Sequence, residues 1–323
     1  MGGLVTYIVR RALFALPVFL AVSIITFLIT NAAGNPIDIL KLGIKNASPA
    51  QLAALRAFYH VDDPLYTRYF LWLRDFVTGN LGQSLYSGSV ASKVIPWVAT
   101  TLELQLPALA LAFAIGVPVG VYSAKRQYSK SDIAVTTTAI FGYSTPTFWL
   151  GIMGIIIFSL YLHWLPSYGA ISAYPPYWWG DITLDQIAHL ALPLTVLTIV
   201  SLATYVRLIR ANMLEALRQD YVLAARASGL SEFKVTYKHA LKNAITPVIT
   251  IVGLTFGFLL AGAPGLETTF SWPGLGYEFV QAALNLDLPV VQAITMIITI
   301  MVLVANVGLD LVYAIMDPRV RIS

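Results

Sequence analysis

Apolar residues along this chain gather into six long runs, at roughly 12–30, 100–122, 133–162, 187–206, 244–263 and 290–316. Each approaches the ~20 residues an α-helix needs to cross the hydrocarbon of a bilayer. Lipid offers no partner to backbone N–H and C=O groups, so helices are the expected form. The pattern therefore predicts an all-α polytopic membrane protein with six transmembrane helices. One polar insert, DYVLAARASGLSEFKVTYKHALKNAITP at 220–247, joins two of the runs. It reads as two short amphipathic helices broken at Gly229. A folded, basic helix pair held between two spans is a handle for a partner.

Within that insert, Leu214, Leu217, Tyr221, Ala224, Ala225 and Ser228 fall on one helical stripe that narrows to small residues. Small side chains let another backbone approach closely. Gly229 suits the left-handed conformation that ends a helix. Ser231 is placed to cap the next helix, with Glu232 in its first turn and Lys238 and Lys242 toward its end, in keeping with the macrodipole. The alternative is an amphipathic helix lying on the membrane surface.

The segment 31–98 is too long for a bare connection. Ser48-Pro49 reads as a helix start, followed by Leu52, Leu55, Phe58 and Tyr59 at helical spacing. Asp62-Asp63-Pro64 interrupts. Tyr66, Tyr69, Phe70, Leu73 and Phe76 then form a second amphipathic pattern, and Gly79, Gly82 and Gly88 mark turns. Aromatic content separates this segment from a flexible linker. The reading is a long, ordered cap outside the membrane after the first helix.

Composition supports a bilayer as solvent: 58% of the 323 residues are hydrophobic and only 11% are charged, against about 25% in a soluble domain. With the N-terminus in the cytoplasm and six crossings, 14 of the 20 lysines and arginines face the cytoplasm. The other six lie in 31–98, and loops 163–186 and 264–289 hold none. That asymmetry follows the positive-inside rule and puts both termini in the cytoplasm. The net charge of +4 thus reflects topology and implies no nucleic acid. Arg10 and Arg11 precede an apolar stretch longer than the 7–15 residues of a signal peptide, so an uncleaved first span is expected.

The chain has no cysteine, which excludes disulfides and thiolate chemistry. No phosphate-binding G-x-x-x-x-G-K-[ST] loop, G-x-S-x-G turn or metal-spaced histidine pair occurs. Catalytic and metal residues are accordingly none, and energy for uphill work must enter from another subunit. Glu103 and Asp310 are acids inside apolar runs. Such residues usually face a water-filled path or a partner. For Glu103 simple solvation is the alternative, and for Asp310 an ion pair with Arg319 or Arg321. Proline in Ser144-Thr145-Pro146-Thr147-Phe148-Trp149 leaves a carbonyl unpaired mid-run. Either a plain kink or a cavity-lining break follows, making Tyr143, Ser144 and Pro146, with Glu103, the translocation-path candidates. Tyr177, Trp178, Trp179 and Trp272 lie in two aromatic loops. They read as interface anchors or as a docking surface for a partner outside the membrane. Asn46-Ala47-Ser48 is a glycosylation sequon, a triplet common by chance.

Taken together, these motifs resemble the membrane permease subunits of ATP-binding-cassette importers, in the dipeptide/oligopeptide/nickel branch. The resemblance runs nearly end to end: DDPLYTRYFLWLRDFVTGNLGQSLYSG after the first span; Ser144, Pro146, Phe148 and Trp149; DYVLAARASGL; LETTFSWPGLG; and Asp317-Pro318-Arg319. Two positions depart from the wider superfamily. Leu223 stands where Glu is common, and Pro247 follows Gly229 at a greater distance; both fit the peptide branch.

The resemblance implies partners: a second homologous permease, two ATPase subunits that bind ATP and Mg, and an extracytoplasmic binding protein. It makes 207–243 a cytoplasmic coupling loop, with Tyr221, Ala224, Ala225, Ser228, Gly229, Leu230, Ser231 and Phe233 contacting an ATPase. The implied division is a tail and first span at 1–30, a cap at 31–98, a five-helix core at 99–316 and a tail at 317–323. Short peptides are the implied cargo, with oligosaccharides or nickel as alternatives for the same machinery. A secondary transporter or channel is the alternative of a different class; it calls for internal repeats, and none is evident.

Overall fold

The computed structural model describes residues 2–34, 60, 62–172, 182–259 and 261–316. The Ser48-Pro49 helix start, Asn46, Tyr177, Trp178, Trp179 and the 317–323 tail lie outside that set. The described residues are mostly helical, and the chain forms two compact units. One comprises 1–100, 260–264 and 274–323, and the other 101–259 and 265–273.

In the first unit, α1 (Gly2–Ala33) and α2 (Leu65–Val77) precede a short antiparallel pair, β1 (Gln83–Ser84) and β2 (Gly88–Ser89). Then comes α3 (Ala91–Lys125), whose first turns belong to this unit; an expected boundary at 98/99 falls inside this one helix. Gly79, Gly82 and Gly88 all adopt positive φ, as their turn reading required. The expected inward stripe of α2 is corrected in part. Tyr69, Trp72 and Phe76 pack on Phe19 and Phe27 of α1, with ring centroids 5.5–6.4 Å apart, and the hydroxyls of Tyr69 and Ser23 bond at 2.8 Å. Tyr66 and Phe70 instead face outward. The helical repeat carries Trp72 to the α1 side, three residues on from Tyr69, and rotates Tyr66 and Phe70 away. This part of the cap therefore lies beside the first apolar helix.

The 264–289 region contributes α11 (Leu275–Leu284), which packs on α12 (Leu288–Met316) and on Val90, Val94 and Trp97. Asp287, buried between α11 and α12, accepts hydrogen bonds from the Ser84 hydroxyl and the Leu85 amide. Burial pushes the Glu278 carboxyl of α11 above the usual carboxylate range, opposed by nearby Lys93.

The second unit holds the rest of α3, then α4 (Lys130–Ser144) and α5 (Thr147–Gly154), which widens into a π-helical turn at Ile155–Tyr161. It continues with α6 (Ile182–Ala216), α7 (Asp220–Ala227), α8 (Glu232–Lys234, π-helical at Val235–Ala240, ending at Leu241–Ala244), α9 (Thr246–Leu259) and α10 (Pro264–Thr269). Close approach of α3 to α6 is permitted by Gly116 and Gly120. A Cβ at Gly116 would meet Tyr205 Cβ at 2.9 Å, and one at Gly120 would meet Ile209 Cβ at 2.7 Å. This four-residue spacing of glycines is a recurrent device for packing apolar helices where lipid supplies no hydrophobic drive.

Four described helices are long and apolar enough to cross a membrane: Leu13–Ala33, Ala91–Lys125, Leu184–Ala216 and Leu288–Leu309. A fifth candidate is the pair α4–α5, bent by 100°. The expected single span at 133–162 is therefore broken. Proline bars Thr145 from the helical region, and Thr145 adopts φ −86°, ψ 128°. Its hydroxyl and amide both bond the Phe141 carbonyl, at 2.7 and 3.1 Å, and close the end of α4. The run at 244–263 yields α9, described over 14 residues, or about 21 Å at 1.5 Å per residue. The architecture is that of an all-α, multi-pass membrane protein.

Candidate functional site

The polar insert starts where α6 stops. Gln219 is extended (φ −77°, ψ 150°) and opens a new helix at Asp220. The continuous stripe expected from Leu214 to Ser228 is thus broken by a turn at 217–219. After that turn the helix presents a different face: Val222 and Ala225 point into the core, while Tyr221, Leu223, Ala224 and Ser228 face out. Ala225 therefore supports the surface from beneath. The core receiving it combines Val121 and Ala124 of α3, Ile209 and Met213 of α6, and Val235, Ala240 and Ala244 of α8.

The end of α7 matches its sequence reading. Gly229 takes φ +74°. Its amide bonds the Arg226 carbonyl at 2.9 Å, and the Leu230 amide reaches back to the Ala225 carbonyl at 3.4 Å. These two bonds form a Schellman motif, with Leu230 packed against the core as its apolar contact. The Ser228 hydroxyl donates to the Ala224 carbonyl at 2.9 Å. Ser231 occupies the N-cap position of α8, but its side chain makes no capping bond. Glu232 bonds Arg226 across the turn at 2.9 Å instead. Beyond it, Phe233 (70% exposed) and Tyr237 stack at 4.7 Å, one turn apart on the outer face. The result is an exposed patch of Tyr221, Leu223, Ala224, Phe233 and Tyr237 around a rigid left-handed corner. Leu223 and Tyr237 escaped the sequence reading. Tyr237 was legible as the i+4 partner of Phe233.

The same unit holds a buried ion pair that sequence reasoning also missed. Asp132, 2% exposed, accepts two bonds from Arg210, Nε to Oδ1 at 2.7 Å and Nη2 to Oδ2 at 2.8 Å. The Ser123 and Thr136 hydroxyls and the Tyr128 amide complete its shell, and Ser129 caps the Asp132 amide at 3.2 Å. The signal was local: serine three residues ahead of an acid marks a helix start. This cluster ties α3, α4 and α6 together.

The remaining candidates scatter. Glu103 is exposed on α3, and Tyr143, Ser144 and Pro146 are exposed at the α4–α5 bend. The Tyr143 ring carries the Arg207 guanidinium at 4.4 Å from its centroid. Trp272 corrects an expectation: it is 2% exposed, so its ring offers no docking surface. Its amide bonds the Glu267 carbonyl at 2.8 Å, and the turn after α10 folds the ring inward. Asp310 lies in α12, but its side chain is outside the described residues. Just ahead of the aromatic loop, Ser172 binds Asp185 by its amide (2.6 Å) and hydroxyl (2.8 Å). His189 Nδ1 lies 3.0 Å from the Gly169 carbonyl; a carbonyl only accepts, so Nδ1 carries hydrogen.

Comparison with known proteins gives a consistent set. The family described as binding-protein-dependent transport system inner membrane component matches residues 116–322, and the N-terminal model of the same transport-system membrane component matches residues 4–91. An oligopeptide transport system permease protein, AppB of Bacillus subtilis (strain 168), is 39% identical over 318 residues, covering 98% of this chain and 99% of the relative. The dipeptide transport system permease protein DppB of Escherichia coli (strain K12) is 36% identical over 334 residues, covering 98% of each. A di/tripeptide permease of Pseudomonas aeruginosa (strain UCBPP-PA14) is 36% identical over 334 residues, covering 98% of this chain and 99% of the relative. The chain belongs to the family of inner membrane components of binding-protein-dependent transport systems.

Proposed function

We propose that this chain is one permease subunit of an ATP-driven importer that takes up short peptides delivered by an extracytoplasmic binding protein. It crosses the inner membrane six times, counting the bent α4–α5 pair and the 244–263 run as one crossing each, with both ends in the cytoplasm. Residues 1–30 hold the N-terminal tail and the first crossing, the 31–98 segment lies outside, and 99–316 is the permease core, followed by the 317–323 tail. A second, homologous permease completes the path. Two separate ATPase subunits bind ATP and Mg and hydrolyse the nucleotide. Glu103, Tyr143, Ser144 and Pro146 face the path, and Tyr177, Trp178 and Trp179 meet the binding protein.

The observation that carries this reading is the exposed patch at Tyr221, Leu223, Ala224, Phe233 and Tyr237. Large apolar side chains left exposed on this polar loop mark a contact with protein or membrane, and the resemblance to importer permeases favours a protein. Gly229 and Leu230 fix the corner, and Ser228 and Ser231 flank it. In this reading ATP-driven closure of the ATPases pulls on α7 and α8. Their shared core with α3 and α6 passes the movement to the spans. Near-full-length similarity to relatives named for oligopeptide and dipeptide transport supports peptides as cargo.

The test is reconstitution of the complete importer in vesicles with labelled di- to pentapeptides. ATP-dependent uptake is expected, with Phe233→Ala lowering ATPase co-purification and uptake about tenfold while the chain stays folded. Uptake that persists without any ATPase subunit overturns the assignment.

A further inference from the structure

The first unit contains a cavity of about 500 Å³ that the transport reading leaves unused. It lies where α1 ends and α12 begins, roofed by α2 and the β1 strand. Phe27, Leu71 and Trp72 form its apolar wall, while Asn31, Arg68 and Gln292 bring polar atoms to it. Its size falls in the range of small-ligand sites, ~300–1,000 Å³.

Its lining arginine stands apart from the ion pairs around it. Asp75 is taken by Arg74, with guanidinium bonds of 2.8 and 3.1 Å, and His60 is paired with Asp63 at 3.1 Å. The Arg68 side chain, half-buried, has no hydrogen bond or ion pair among the described residues. A guanidinium held partly out of water without a counter-charge is costly, and a bound anion would supply that charge.

Position narrows the anion. The cavity sits at one end of two membrane-length helices, Leu13–Ala33 and Leu288–Leu309. That is the level at which hydrocarbon gives way to water, and an aromatic ring such as Trp72 is at home there. Beside it, α1 exposes Ile24, Ile25, Leu28 and Ile29, and α2 exposes Tyr66 and Phe70. A free inorganic anion has no use for that apolar skin, whereas acyl chains would lie along it.

We propose that this cavity is a phospholipid headgroup site, with the lipid phosphate on Arg68 and the chains on the outer faces of α1 and α2. A lipid seated there wedges α2 against α1 and α12. The site stands independently of the peptide-import reading.

Native mass spectrometry of the full chain, purified in mild detergent and re-supplied with phosphatidylglycerol, tests this. One retained phospholipid per chain is expected. Arg68→Gln should lower its retention about tenfold, while Arg126→Gln, an exposed arginine of the second unit, leaves it unchanged. Arg68→Lys keeps the charge and should keep the lipid, so a fold lost in Arg68→Gln does not end the test. Equal retention by wild type and Arg68→Gln overturns the proposal, as does loss from a folded Arg68→Lys chain. Displacement of the lipid by millimolar inorganic phosphate would assign the site to a free anion and overturn it equally.

Discussion

At Asp132 an arginine–carboxylate pair is buried and bidentate, and two hydroxyls and an amide complete its shell. At Glu232 a second pair joins one nitrogen to one oxygen across an open turn, with side chains 39% and 60% exposed. The first is sealed among α3, α4 and α6, and the second lies on the patch proposed to meet an ATPase. The inner pair is a joint: removing one partner strands a charge that water reaches poorly. The outer pair is a surface strap of small net worth, because solvent competes for both ends. The same contrast holds for glycines. At Gly120 the space is filled by Ile209, whereas at Gly229 nothing lies within 4 Å and only backbone conformation demands glycine.

The sharpest way to break this comparison is Asp132→Ala. It should cost about 3 kcal/mol in unfolding stability, at the low end for a broken buried pair because Arg210 keeps 22% exposure. Denaturation of the purified protein in detergent measures it; a cost under about 1 kcal/mol would make the two pairs equivalent. Next comes Gly120→Val, which should lose about 1–3 kcal/mol through overpacking against Ile209. Gly229→Val should cost only about 1–2 kcal/mol, the strain of a left-handed non-glycine residue. Yet peptide uptake should fall far more than stability, and ATP hydrolysis should continue without it. Normal uptake by this variant would remove the corner from the mechanism. The smallest effect belongs to Glu232→Gln, expected within about 0.5 kcal/mol of wild type and with normal uptake.

Much of this molecule was readable from residues alone. The apolar runs at 12–30, 100–122, 187–206 and 290–316 became long helices because a run near 20 residues leaves the backbone little choice in lipid. The Gly229 corner was readable for a similar reason: a small set of hydrogen bonds ends a helix, and glycine alone takes φ +74° freely. Facing was harder. Three residues at 217–219 turned the chain and rotated α7, so Ala225 went inward and Leu223 outward. No periodicity count across 214–228 detects such a turn.

Sequence by itself settled the solvent, the helical class, the family resemblance and the helix stop at Gly229, since each depends on local composition or on one residue's backbone freedom. Tertiary structure decided which side of each helix is buried. It drew Asp132 to Arg210 across 78 positions and hid Trp272. It also folded α2 back along α1 and set Arg68 beside a cavity, without a side-chain partner among the described residues. Those outcomes depend on how side chains distant in sequence share a limited interior, and a pattern read along one strand of text holds no record of that competition.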